Sequence, residues 1–445
     1  MAKIAKYVVT SGEGLEPGPR SKISYVAVPV STTPKMIHWL FLLFVFTFPF
    51  EATALGSHSI AKLVGLLFFA LYFLHYNPVF HNRSFPPLPN AMWWFLGYTA
   101  LYIVSVVRLP PELFGQFVMR VFTLLQLLGF FWIASDLLKD ENFAKRVLLT
   151  YSLAAALFAV GILLRVPGFS QEIVPGRVTG AGENLNLVAT HMAMALVITI
   201  GLIVSTVYKR FGLRIFLAAL TLPVLLAMIS TGSRGGIAAF VMGMSVYLLP
   251  YWKKKRTLAT IGFVAVGIIG VVYLVITTPD LLARWQESYY EGKLSEREKI
   301  FADSLQMVSE RPVLGWGAIE PGYELGFRAG SWYPNDTHNL LLHLLMEVGI
   351  VGTIPFLTGL CLILRQAWQA RSVGLGLLPL ALMATILTAN LSGNNLVWKP
   401  QWLVLALATA SALTSIRKLV IRSAPGLAAY PRKAGDRGAA YFPEM

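Results

Sequence analysis

Charge is scarce in this chain. Of its 445 residues only 13% are charged, while 56% are hydrophobic; a soluble domain carries about 25% charged residues. No soluble core of this length could hide so much apolar surface, whereas a bilayer accepts it. Cysteine is nearly missing. The single Cys361 lies inside an apolar run, which excludes a disulfide framework and a cysteine-based metal site. It reads as a small core or lipid-facing side chain. Acids are few, 22 against 37 Lys and Arg. Those assigned below to the external face (Asp280, Glu296, Asp303, Glu320, Glu324, Asp336) form no tight cluster for a divalent cation. The sequence also lacks a P-loop, an HExxH helix, a GxSxG elbow and a dinucleotide fingerprint. It shows no internal repeat, no Gly/Ser linker and no cleavable signal-peptide pattern at its start.

What is present is apolar sequence punctuated by bases, with a mean hydropathy of +0.63. Twelve runs long enough for a ~30 Å hydrocarbon core fall near 36–55, 58–76, 91–107, 113–134, 146–166, 186–208, 213–230, 235–251, 257–277, 338–364, 373–392 and 400–416. The expected class is therefore an all-α polytopic membrane protein with about twelve transmembrane helices. The net charge of +15 would also suit a nucleic-acid binder. Here, however, the bases sit between apolar runs as orientation signals do, and no basic stripe with interleaved aromatics lies on a soluble segment. The expected environment is the bilayer, with no nucleic-acid partner.

The short loops set the expected orientation. His81 to Arg83, Lys139 to Arg146, Lys209 to Arg214, Lys253 to Arg256 and Arg365 to Arg371 fall on one side if the count is right. By the positive-inside rule that side is cytoplasmic. The expected layout is a cytoplasmic segment 1–35, spans one to nine over 36–277, an external loop 278–337, spans ten to twelve over 338–416, and a basic, Gly/Ala/Pro-rich cytoplasmic tail 417–445 that reads as disordered from Ser415 onward. A loop of ~60 residues in a compact protein is functional or disordered, and this one is patterned. Residues 296–310 place Ile300, Phe301, Leu305 and Val308 on one helical stripe, which Arg297 continues.

The external face holds the anomalies. Arg177, Arg234, Arg297, Arg311 and Arg328 lie where Lys and Arg are normally depleted. Arg234 sits in the turn Ser230-Thr231-Gly232-Ser233-Arg234-Gly235-Gly236 between two spans. Glycines there let backbone amides approach a ligand, and a following helix N-terminus favours anions. A guanidinium forks onto phosphate oxygens. The plainer reading is a tight turn with a snorkelling arginine. Asn335, Asp336 and Thr337 are good N-caps, which places His338 in the first turn of a helix. Helix N-terminal amides disfavour imidazolium, so a neutral ring able to take a hydroxyl proton is expected. The plainer reading is a polar residue at the membrane interface. Arg177 and the run Gly182 to Asn186 precede another span, and such amides either bond sugar hydroxyls or simply make a loop. His343, Arg311 and Arg328 read as structural.

Taken in order, Thr231-Gly232-Ser233-Arg234-Gly235-Gly236, then Arg297-x-x-Ile-Phe leading to Pro312-Val313-Leu314-Gly315-Trp316-Gly317, then His338-Asn339-x-x-Leu with Glu347-x-Gly349-x-x-Gly352, resemble the O-antigen ligase/O-antigen polymerase superfamily. Each piece alone is weak; the ordered set covers about 230–352. The resemblance implies a GT-C-type membrane fold with one long periplasmic loop containing helices. It implies transfer of a glycan from undecaprenyl diphosphate, inverting and without a metal or other cofactor. On the ligase branch the acceptor is the lipid A–core oligosaccharide. It implies catalytic roles for His338 and Arg297, and diphosphate binding by Arg297 and Arg234 with Arg177 assisting. Sugar contacts fall to Asn184, Asn186 and Asn339. The implied location is the inner membrane of a Gram-negative cell, with a periplasmic site. The ligase is favoured because twelve spans and a single long external loop ending at the histidine suit it. A polymerase, a protein O-oligosaccharyltransferase and, less, a lipid-linked glycan transporter remain open.

Overall fold

The computed structural model describes residues 34–51, 54–55, 58–76, 85–167, 169–174, 177–204, 211–249, 297–372 and 374–423, with isolated residues between 276 and 290. The expected span 257–277 lies almost wholly outside them. The helices are α1 (Lys35–Phe46), α2 (Ile60–Tyr76), α3 (Asn90–Val104), α4 (Phe114–Leu137), α5 (Glu141–Leu163), α6 (Leu185–Val204), α7 (Phe211–Ser230), α8 (Arg234–Leu248), α9 (Arg297–Glu310), α10 (Glu320–Arg328), α11 (Leu340–Gln369), α12 (Leu378–Ala389) and α13 (Lys399–Ser423). Two short antiparallel ribbons qualify the all-α expectation: Ala54–Leu55 with His58–Ser59, and Ser170–Val174 with Arg177–Gly180.

Six of the described helices are long and apolar enough to cross a membrane. They comprise α4, α5, α6, α7, α11 with its 3-10 extension to Ser372, and α3 with its extension to Arg108. α1, α2, α8 and α12 are apolar but shorter. The chain is thus a mostly helical membrane protein, and the count of twelve remains an expectation. Three boundaries differ from the sequence reading. The run 36–55 does not continue as one helix; α1 stops at Phe46, and Pro49 lies in a 3-10 turn, where its missing N–H costs nothing. α13 carries on through Ser423, into what reads as a tail, because Ile416 to Arg422 contains no helix breaker. α11 is not continuous: Gly349 has φ 61° and ψ −166°, a break that glycine accepts without steric cost.

That break is filled by the loop. The Trp316 and Gly317 amides donate to the Met346 and Glu347 carbonyls (2.7 and 3.0 Å), and the Ile350 and Val351 amides donate to Pro312 and Val313 (2.9 and 3.1 Å). Two carbonyls before the break and two amides after it thus regain partners, as buried backbone requires. Around it Met307, Trp316, Leu325 and Met346 form a satellite core, with Ile300 and Val308 against it. The buried stripe of α9 therefore runs through Ile300, Ser304 and Met307, while Leu305 is exposed. The 297–300–304–307 spacing keeps Arg297 on that face.

The main core joins the remaining helices. α8 packs on α12 and α6, α11 on α3 and α13, and α4 on α3 and α13. At one end of the bundle Thr414 donates to the Lys139 carbonyl (3.1 Å) and Gly374 lies against Glu141. The other end gathers the segments around 177–186, 231–235, 338–340 and 390–395.

Candidate functional site

At that second end two groups of side chains meet on a shared support. The first is built on the α7–α8 turn. Gly232 takes φ +63° and its amide bonds to Ile229 (2.9 Å); Ser233 then caps α8, accepting from the Gly236 amide at 3.3 Å. Arg177, at the start of its ribbon strand, donates from Nε to the Thr231 carbonyl (2.8 Å). Ser233 Oγ donates to Asn186 Oδ1 (2.8 Å). The structure thus brings Arg177, Asn186 and the Arg234 turn together, with Thr231 and Ser233 buried. The two glycines after Arg234 meet protein rather than open space. A Cβ on Gly235 would fall 2.2 Å from Ser392 Oγ, and one on Gly236 would fall 2.4 Å from the Ala189 Cβ. Their smallness permits close packing of α8, a purpose the sequence reading did not assign. Asn184 Oδ1 accepts from the Asn186 amide (2.8 Å) at the start of α6, so its carbonyl oxygen serves as a cap.

The second group surrounds His338, and here the sequence reading needs correction. α11 begins at Leu340 and its N-cap is Asn339, whose side chain accepts from the Leu342 amide (3.1 Å). His338 stands outside the helix, with φ +50°, a left-handed conformation uncommon for non-glycine residues, although Asn, Asp and His adopt it more often than most. Asn339 wins the cap because its carboxamide reaches the third following amide, the preferred N-cap geometry. The imidazole is half-buried, with Nδ1 3.6 Å from Asp336 Oδ2. Its proton affinity is lowered, but not by helix amides. Burial is the largest cause; the Arg297 guanidinium lowers it further, and the Asp336 carboxylate opposes both. Arg297 and His338 therefore share one electrostatic environment, although 41 residues apart in sequence.

Asn390 and Ser392, just after α12, link the groups. The Leu340 amide donates to the Asn390 carbonyl (3.0 Å), Asn390 Nδ2 donates to buried Gln401 (2.8 Å), and Ser392 lies against Gly235. Neither Asn390 nor Gln401 was singled out from sequence; amides within apolar runs are the signal that could have found them.

The other external cations are engaged structurally. Arg328 forks onto Glu310 (2.9 and 2.7 Å) and donates to Glu324 (2.7 Å). Arg311 stacks 4.0 Å over the Trp316 ring. His343 Nε2 lies 3.1 Å from buried Glu347 Oε2. That contact is not an aligned hydrogen bond, since neither atom has one among the described residues. Glu347 Oε1 instead accepts from the Ile319 amide (3.4 Å).

The fold and this end of the bundle define a helical membrane protein whose basic residues converge near a histidine of lowered basicity. Residues 217–357 match the family model described as O-antigen ligase. An O-antigen ligase of Pseudomonas aeruginosa is 26% identical over 191 residues, which are 40% of this chain and 44% of that relative. The chain spans less than half the length of the relative it matches. Over these stretches the chain is similar to the O-antigen ligase family.

Proposed function

We propose that this protein transfers O-antigen polysaccharide from undecaprenyl diphosphate to the lipid A–core oligosaccharide, on the periplasmic face of the inner membrane. The observation that carries the reading is the pairing of His338 with Arg297: a half-buried imidazole held largely neutral, beside a cation. His338, with Nδ1 toward Asp336, takes the proton of the acceptor hydroxyl on Nε2. The freed oxygen attacks the anomeric carbon as the bond to the diphosphate breaks, inverting the centre. Arg297, with Arg234 and Arg177, holds the diphosphate and stabilises the charge that builds on it. A diphosphate is already a good leaving group, so arginines suffice and no metal is invoked. The match over 217–357 covers Arg234, Arg297 and His338, which supports assigning them together. Asn184, Asn186 and Asn339 keep their amide N–H groups for sugar hydroxyls, their Oδ1 atoms being engaged within the protein.

The test is reconstitution. Purified protein with lipid-linked O-antigen and rough lipopolysaccharide is expected to give smooth lipopolysaccharide, undiminished by chelator, and His338→Ala is expected to abolish it. Full activity in that variant would sink the mechanism. Extension of the lipid-linked glycan instead of the lipid A–core would make the protein a polymerase.

A further inference from the structure

A second basic site lies on the opposite flank of α11, and nothing above uses it. Arg120 stands within α4, an apolar helix of the membrane-spanning set. An ionisable residue there calls for a function or a partner. No described residue is hydrogen-bonded or ion-paired to its guanidinium. It lines an open groove of about 420 Å³ with Gln116, Met119, Thr123, Ile319 and Val397. Gln116, Arg120 and Thr123 recur at helical spacing, so one stripe of α4 is polar. The flanking Phe114, Met119 and Phe122 are exposed, so the rim is apolar and suits acyl chains.

Around Arg120 lie buried polar atoms, and Glu347 Oε2 among them is 3.1 Å from His343 Nε2. The hydroxyls of Tyr98 and Tyr102 and the Oε2 of Glu347 are buried and make no hydrogen bond among the described residues, and all three residues lie within electrostatic range of Arg120. Ile319, which lines the groove, donates its amide to Glu347 Oε1. A guanidinium without a hydrogen bond among the described residues, lining an open groove with Gln116 and Thr123 beside an apolar rim, matches a phosphate with an aliphatic tail.

We infer that this groove holds the phosphate of the acceptor glycolipid. The inference rests on the proposed transfer, which needs two lipids. The donor diphosphate is assigned to Arg177, Arg234 and Arg297, where α8 packs on α6 and α12; Arg120 lies where α4 packs on α3 and α13, with α11 reaching both sides. Glu347 is roughly 10 Å along α11 from Leu340. A phosphate at Arg120 therefore sits deeper than His338, as a lipid headgroup sits below the sugars it carries.

The test reads binding, so it does not depend on turnover. Full-length protein in phosphatidylcholine nanodiscs is titrated with rough lipopolysaccharide and with the same glycolipid stripped of its phosphates. The intact glycolipid is expected to bind the wild type about tenfold tighter, the scale of one charge-assisted contact. Arg120→Gln is expected to erase that difference and Arg120→Lys to keep part of it. Should Arg120→Gln fail to fold, Thr123→Val is expected to reduce the difference several-fold. An unchanged preference in a folded Arg120→Gln protein, or an equal loss for both glycolipids, overturns the inference. So does displacement by phosphatidylglycerol or by undecaprenyl diphosphate, which would make the occupant bulk lipid or donor. Arg120-dependent binding without any transfer would instead sink the proposed function and leave the phosphate site standing.

Discussion

Gly315 and Gly349 meet backbone to backbone: a Cβ built on Gly349 would lie 2.5 Å from the Gly315 nitrogen, and one on Gly315 would lie 2.7 Å from the Gly349 nitrogen. Both have φ above +60°. Alanine at either position meets a steric clash and a disfavoured backbone at once, and nothing flexible can yield. Each substitution is expected to cost at least about 2 kcal/mol. Thermal unfolding of the purified variants in detergent checks this; a midpoint within a degree or two of wild type would contradict it.

Gly236 offers a reversible version of the same experiment. Its added Cβ would meet the Cβ of Ala189 at 2.4 Å, with backbone atoms no nearer than 3.2 Å. Gly236→Ala is expected to destabilise by about 1–3 kcal/mol through overpacking. Ala189→Gly in the same chain is expected to restore most of it, and a double-variant cycle measures the coupling.

The acid limb of the pH–rate profile should report His338. Burial and Arg297 lower its pKa below the ordinary 6.5 and Asp336 raises it, so activity should fall only when pH drops below that ordinary value. Replacing Arg297 by Gln removes a lowering influence and should move the limb to higher pH. Asp336→Asn removes the raising one and should move the limb to lower pH. The Arg297 variant is also expected to lose about 10²–10³ in rate; the limb position, not its height, tests the coupling. His338→Asn is the inactive control of choice, because Asn tolerates the left-handed backbone better than Ala.

Arg328 should behave quite differently from Arg297. Its guanidinium is committed to Glu310 and Glu324, and exposed pairs contribute little. Arg328→Gln is expected to shift the melting midpoint slightly and leave the acid limb unmoved. A rate loss comparable to that of Arg297→Gln would mean the external arginines act as one set.

Much of this architecture was readable in the sequence because a bilayer imposes a strong pattern. Each expected span within the described residues contains a helix, and the stripe spacing put Arg297 on the buried face of α9. The departures share a cause: they depend on contacts between distant segments. Nothing local to His338 says that Asn339 will take the cap, and the left-handed turn is held partly by Leu340 bonding to Asn390. Gly235 and Gly236 read as ligand-facing until Ser392 and Ala189 are seen against them. Arg120 is a charge in an apolar run that the sequence reading did not single out; that its guanidinium makes no hydrogen bond among the described residues appears only once α3, α4 and α11 are assembled.

The strap at 312–317 has a consequence for how the site is held. Residues 340–348 form a short stub that ends at the Gly349 break; the strap holds it by two hydrogen bonds, to Met346 and Glu347, and holds the far side of the break by two more, from Ile350 and Val351. The strap continues from α9, which begins at Arg297, and the stub follows directly from His338. Cation and base are thus bolted to the two halves of one joint. The short run of backbone hydrogen bonds at 312–317 is therefore what keeps the segment bearing Arg297 in register with the segment bearing His338.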